Sequence, residues 1–261
     1  MTGTLEFSKK KGTEDVVYKY DINETREHGV VLIINNVYFT EKDKADRESS
    51  NEDAKRLKKV FEGLHYQVIV HEDLLAEEIR TNVSAIAAGV VTKKHDSFIC
   101  CILSHGNPVG IEGVDGKTVT VAELADIVNS KECSALHGKP KIFLFQATRG
   151  SNIPEPAVAD EEEQRVSASL RALPPEADFL FGFSTSDGNV AARDVYTGSQ
   201  YIKALCEYFD PKYSSRLSLD ELLLLVNYKV SGNPIDYNLP YKYHQMPEIR
   251  STLRGKFYFL K

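Results

Sequence analysis

The feature that most restricts how this chain can fold is a series of short apolar runs separated by helix-periodic segments. Residues 30–34 read Val-Val-Leu-Ile-Ile and residues 98–103 read Phe-Ile-Cys-Cys-Ile-Leu, and similar runs fill 141–145 and 179–183. A strand that is apolar on both faces needs cover on both, which a parallel sheet between two helix layers supplies. Between the runs, Ala54, Leu57, Val60, Phe61 and Leu64 recur at helical spacing among charged residues. Further helices are expected over 75–91, 121–128, 199–208 and 219–228. Shorter strands are expected at 67–70 and 255–260, with a hairpin over 110–121 turning at Asp115-Gly116. The alternation predicts an α/β fold: a mostly parallel six-stranded sheet flanked by helices.

The 261 residues suffice for one large α/β domain. A net charge of −6, with no basic tract beyond Lys9, Lys10 and Lys11, argues against a nucleic-acid partner. No stretch approaches the ~18 to 20 apolar residues of a membrane span, and the N-terminus has no apolar signal region. Cys100, Cys101, Cys133 and Cys206 form no CxxC pair and no metal-type spacing with histidine, so neither metal nor cofactor is expected. Free buried thiols fit a reducing, cytoplasmic location. Adjacent in a strand, Cys100 and Cys101 should face opposite sides.

The periodic pattern fails over 151–175, where Glu161, Glu162 and Glu163 and four prolines read as a linker. It separates a region over 16–150 from a second over 176–261, and the polar residues 1–15 read as a disordered tail.

Two strand ends carry the chemistry. One delivers Ser104-His105-Gly106, the other Gln146-Ala147-Thr148-Arg149-Gly150. In parallel α/β sheets, ligands collect where strands end and loops diverge. The second segment resembles the caspase signature Gln-Ala-Cys-Arg-Gly at four of five positions, with Thr148 at the cysteine and His105 lying 43 residues upstream. Asn35-Asn36, Asp53-Ala54, Asp178-Phe179, Ser184-Thr185 and Gly198-Ser199 extend the resemblance in the same order.

The resemblance implies a caspase-like fold, with a large-subunit region (16–150), an intersubunit linker (151–175) and a small-subunit region (176–261) in one domain. It implies that Arg47, Gln146 and Arg193 bind a substrate aspartate, a role suited to the planar guanidinium fork. The backbone N–H groups of Gly106 and residue 148 would form the oxyanion hole. Asp160 resembles a processing site, although Glu161 follows it where the family prefers a small residue.

A mid-chain threonine hydroxyl is a weaker nucleophile than a thiolate. Cys101 lies about 13 Å along the strand from His105, too far to replace it. Where the family places aromatics, this chain has Val190, Ala191 and Ala192, and Gln200 after Gly198-Ser199. On these grounds the chain is expected not to be an enzyme. Its expected role is that of a pseudo-caspase regulating apoptotic proteolysis, as activator or inhibitor, by pairing with an active caspase paralogue or with itself through a last strand at 256–260. Two alternatives stand beside it: a weakly active or engineered-inactive aspartate-specific endopeptidase of executioner type, and a decoy for Asp-containing peptides or inhibitors.

Overall fold

A computed structural model describes residues 3–10, 13–22, 27–41, 44–129, 132–152, 177–194, 196–235 and 242–260. The linker expected at 151–175 lies almost wholly outside the described residues, and Asp160 with it.

The chain opens with an antiparallel hairpin, β1 (Gly3–Lys10) and β2 (Thr13–Tyr20), where a disordered tail was expected over 1–15. The strand signal is the alternation Leu5-Glu6-Phe7-Ser8, set among turn-forming residues. Next come β3 (Gly29–Asn35), α1 (Ser50–Gly63), β4 (Tyr66–Glu72), α2 (Ala76–Gly89) and β5 (Ser97–Leu103). The small hairpin β6 (Gly110–Glu112) and β7 (Thr118–Thr120) leads into α3 (Val121–Ile127). Thr120 and Glu123 close a reciprocal cap on α3, each side chain taking the other's backbone N–H. The chain continues through β8 (Lys141–Gln146), β9 (Phe179–Phe183), α4 (Gln200–Tyr208), α5 (Pro211–Ser214), α6 (Leu219–Gly232) and β10 (Glu248–Ser251).

The main sheet has six strands in the order β10-β9-β8-β5-β3-β4, all parallel except β10. It is the mostly parallel sheet that the apolar runs imply, and it continues unbroken from the N-terminal region into the C-terminal one through the β8–β9 pair. Each side chain's face follows from strand alternation. Val31, Ile33 and Cys101 pack with α1, α4 and α6, while Val30, Leu32, Ile34 and Cys100 pack with α2 and α3. On the second face, Phe143 lies 5.7 Å from Phe181, and Phe145 lies 5.2 Å from Phe183, centroid to centroid across neighbouring strands.

The strand expected at 255–260 is not part of this sheet. Residues 248–251 hold the edge position instead. Phe257 and Phe259 point into the core, each 1% exposed, with Phe259 4.8 Å from Phe209 and 6.3 Å from Phe61. The backbone there is tied elsewhere: the Leu219 N–H donates to the Phe257 carbonyl at 2.7 Å, and the Tyr20 N–H to that of Lys256 at 3.1 Å. The Phe-x-Phe alternation that reads as a strand comes from burial, not from a sheet ladder. The edge strand expected at 256–260 is therefore corrected to β10.

Phe259→Ala should lower the unfolding free energy by about 3 to 5 kcal/mol, the cost of truncating a buried phenylalanine, measured by urea denaturation. A loss below ~1 kcal/mol would argue that this segment is a dispensable edge.

Candidate active site

The parallel register brings the strand ends to one line: Asn35 sits opposite Leu103, Leu103 opposite Gln146, and Phe145 opposite Phe183. His105 and Thr148 therefore leave neighbouring strands at the same end of the sheet. Gly106 closes the gap between them. A Cβ added there would lie 2.6 Å from the Thr148 carbonyl oxygen, so only glycine allows this approach. The hairpin ladder beside Gly106 uses its neighbours, through Asn107 N–H to Gly110 and Glu112 N–H to His105. That pattern turns the N–H of Gly106 away from the hairpin.

His105 is half-buried, and its ring sits 4.5 Å from that of Phe39. Its Nε2 lies 2.9 Å from the Ala45 carbonyl. A carbonyl can only accept, so Nε2 carries the proton and Nδ1 keeps its lone pair. Burial lowers the His105 pKa, and the Arg47 and Arg193 charges lower it further against the opposing pull of the Ala45 bond. Both effects favour the neutral imidazole.

Arg47 is 2% exposed. Its guanidinium donates to the Asn36 carbonyl at 2.8 Å and to that of Gln146 at 3.5 Å. Burial, and then Arg193, push its pKa down, while Asp53 favours its charge. Gln146 is also buried, and its Oε1 has no partner among the described residues. Arg47 and Arg193 thereby lie close enough to act on each other and on His105, with the Gln146 carbonyl at Arg47, while the unpartnered Gln146 Oε1 calls for a donor. Two cations so placed suit a carboxylate. Thr148 is half-buried, and its Oγ1 accepts from Ala191 N–H at 3.4 Å.

The four cysteines do not substitute for a nucleophile. Cys100, Cys101 and Cys133 are buried; burial raises the thiol pKa of Cys100 and Cys101, and pushes that of Cys206 up to about 12. Among the described residues, no cluster of histidine, cysteine and carboxylate side chains could hold a metal ion. No helix among them is long and apolar enough to cross a membrane.

The model of the Caspase domain (peptidase C14) matches residues 28–258. The chain belongs to the caspase family. It is 33% identical to caspase-8 of Mus musculus over 97% of this chain and 55% of that protein. It is 35% identical to caspase-3 of Xenopus laevis, over 90% of this chain and 81% of the relative. For Mus musculus caspase-6 the figure is 34%, over 91% and 89%. The chain spans about half the length of its caspase-8 relatives and most of the others. The expectation that this caspase is not an enzyme is overturned here: the matching model is a peptidase's and the relatives carry the names of caspases. That expectation gave Thr148 and the missing pocket aromatics more weight than a match running through nearly the whole chain.

Several groups around the site carried no clear signal in the sequence. The Ala45 carbonyl is backbone and leaves no side-chain trace. Lys44 pairs with Glu112 at 2.5 Å, tying the Ala45 segment to the hairpin after His105. Arg149 pairs with Asp187 at 3.1 Å and with Glu248 on β10, over the ring of Phe183. Asp53 was visible only as a landmark, yet it is fully buried and accepts the Ser199 N–H.

Burial raises the Asp53 carboxyl to about 6, against the hydrogen bonds from Ser199. A folded pKa above the unfolded one gives a contribution present below pH ~4 and lost as pH rises through about 6. Asp53→Asn has no such proton, so the variant should gain stability relative to the parent across this window, by up to about 3 kcal/mol. Thermal unfolding of both proteins from pH 4 to 7 checks this, and parallel Tm curves would refute it.

Proposed function

We propose that this caspase-family chain is an aspartate-directed peptidase that reads an Asp side chain with Arg47, Gln146 and Arg193. The carrying observation is the convergence of the two cations Arg47 and Arg193 at the strand ends that also bear Gln146, His105 and Gly106. A bound carboxylate offsets the mutual repulsion of the two guanidiniums. The N–H groups of Gly106 and Thr148 face the scissile carbonyl as oxyanion donors, and His105 Nδ1 is the base. The hydroxyl of Thr148 takes the nucleophile's position. An alcohol ionises far less readily than a thiol, so turnover through Thr148 is slow.

We further propose that the chain works as one half of a pair, with itself or with an active caspase whose turnover it raises or lowers. β10 supports this reading: it is the sheet's outer strand beside β9, and an edge strand offers unpaired backbone groups to a second edge.

Thr148→Cys should raise Asp-peptide cleavage at least about tenfold over the parent, and adding Arg193→Ala should remove at least about tenfold of the gain. Equal turnover of Asp and Asn peptides, or turnover that survives His105→Ala, would overturn the assignment. For pairing, titration into an active caspase should change its Asp-peptide turnover saturably, and Ile249→Lys should abolish the effect. A flat titration would remove the pairing role.

A further inference from the structure

Arg193 is carried on a loop, not on a strand or helix, so its guanidinium must be held in place by something outside its own element. The loop is fixed at both ends. Immediately before Arg193, the N–H of Ala192 donates to Gln245 Oε1 at 2.7 Å, and Gln245 Nε2 donates to the Ser184 carbonyl at 2.6 Å. Gln245 is 0% exposed, so this amide joins the end of β9 to the residue preceding Arg193 with both of its polar atoms in use.

At the far end, Ser199 N–H donates to both oxygens of Asp53, at 3.1 and 2.8 Å. Gly198 makes that possible. Its φ is +84°, and a Cβ there would lie 2.2 Å from Asp53 Oδ1. Between the two ends, Asp194 Oδ1 accepts from the N–H groups of Tyr196 and Thr197, at 3.0 and 2.7 Å. Asp194 and Gly198 also exchange backbone hydrogen bonds. The loop is therefore a short closed turn whose two roots are gripped by buried side chains from α1 and from the segment before β10.

We propose that Gln245 and Asp53 are positioning residues that staple the Arg193 loop and so set the preference for aspartate. This rests on the reading of Arg47, Gln146 and Arg193 as the carboxylate pocket. Loss of either acceptor leaves a buried backbone N–H unpaired, which the loop relieves by moving. Arg193 moves with it, away from Arg47. Asp53 acts a second way, since it is the carboxylate whose charge favours the Arg47 cation.

The test measures binding of a labelled Asp-containing peptide and of its Asn counterpart to the full chain. Gln245→Met and Asp53→Ala should each cut the Asp-over-Asn preference about tenfold while leaving Asn-peptide affinity in place. Gly198→Ala pushes Ser199 off Asp53 without deleting a buried group, so it carries the test if a core variant fails to fold. Hydrogen exchange at Ala192 and Ser199 should quicken in the corresponding variants. An unchanged Asp-over-Asn ratio in Gln245→Met, Asp53→Ala and Gly198→Ala, with the ratio lost in Arg193→Ala, would overturn the staple and leave the pocket standing. An unmodified chain without Asp preference, or one whose preference survives Arg193→Ala, would overturn the pocket and the staple with it.

Discussion

The hydrogen-bond ladder that sets Leu103 beside both Asn35 and Gln146 governs everything at the working end of this molecule. The strands it joins are buried on both faces, so a slip of one residue would exchange the two sets of core side chains. The register also brings the Asn36 and Gln146 carbonyls within reach of one guanidinium, that of Arg47. A charge as deeply buried as Arg47 is unfavourable unless strong acceptors surround it. Carbonyls at strand ends supply these acceptors, so the fold that creates the edge also makes a buried cation tolerable there.

The same edge explains why so many of the surrounding contacts come from loops. The strands end together, and the chain must then diverge to reach the next helix or hairpin. Each divergent segment is fixed by one or two side chains from another element: Lys44 with Glu112, Arg149 with Glu248, Asp53 with Ser199, Gln245 with Ala192. Most of these ties are charged or charge-assisted, and they are largely shielded from solvent, where such bonds are strongest. Arg149 is notable because it follows Thr148 directly and reaches Glu248 on the edge strand, linking the site's backbone to the rim of the sheet.

Much of the scaffold was legible because its signal is local. The runs in β3, β5, β8 and β9 are apolar on both faces, and α1 repeats Ala54, Leu57 and Phe61 at helical spacing. The final strand was misplaced because Phe257 and Phe259 alternate as a strand does, whereas Glu248, Ile249, Arg250 and Ser251 look too polar for a sheet. An edge strand needs only backbone pairing on one side, so composition identifies it poorly. At the site, His105 and Thr148 could be read from the strand ends, and Arg47, Gln146 and Arg193 through resemblance. Gln245 could not be read: a buried amide far along the chain has partners that only the fold reveals.

On the aspartate-directed reading proposed above, the electrostatics of the site couple recognition to chemistry. Arg47 and Arg193 both depress the basicity of His105, on top of burial. Their field acts whenever the space between them lacks an anion. A carboxylate placed there opposes that field by the same Coulombic reasoning, and it does so at short range in a partly desolvated setting where screening is weak. On that reading, a carboxylate held by the two arginines leaves Nδ1 less depressed than the arginines alone do. A peptide with asparagine at that position fills the same volume without the charge, so it leaves His105 depressed. On the same reading, discrimination between the two side chains operates twice, once in binding and again in the readiness of the imidazole to take a proton.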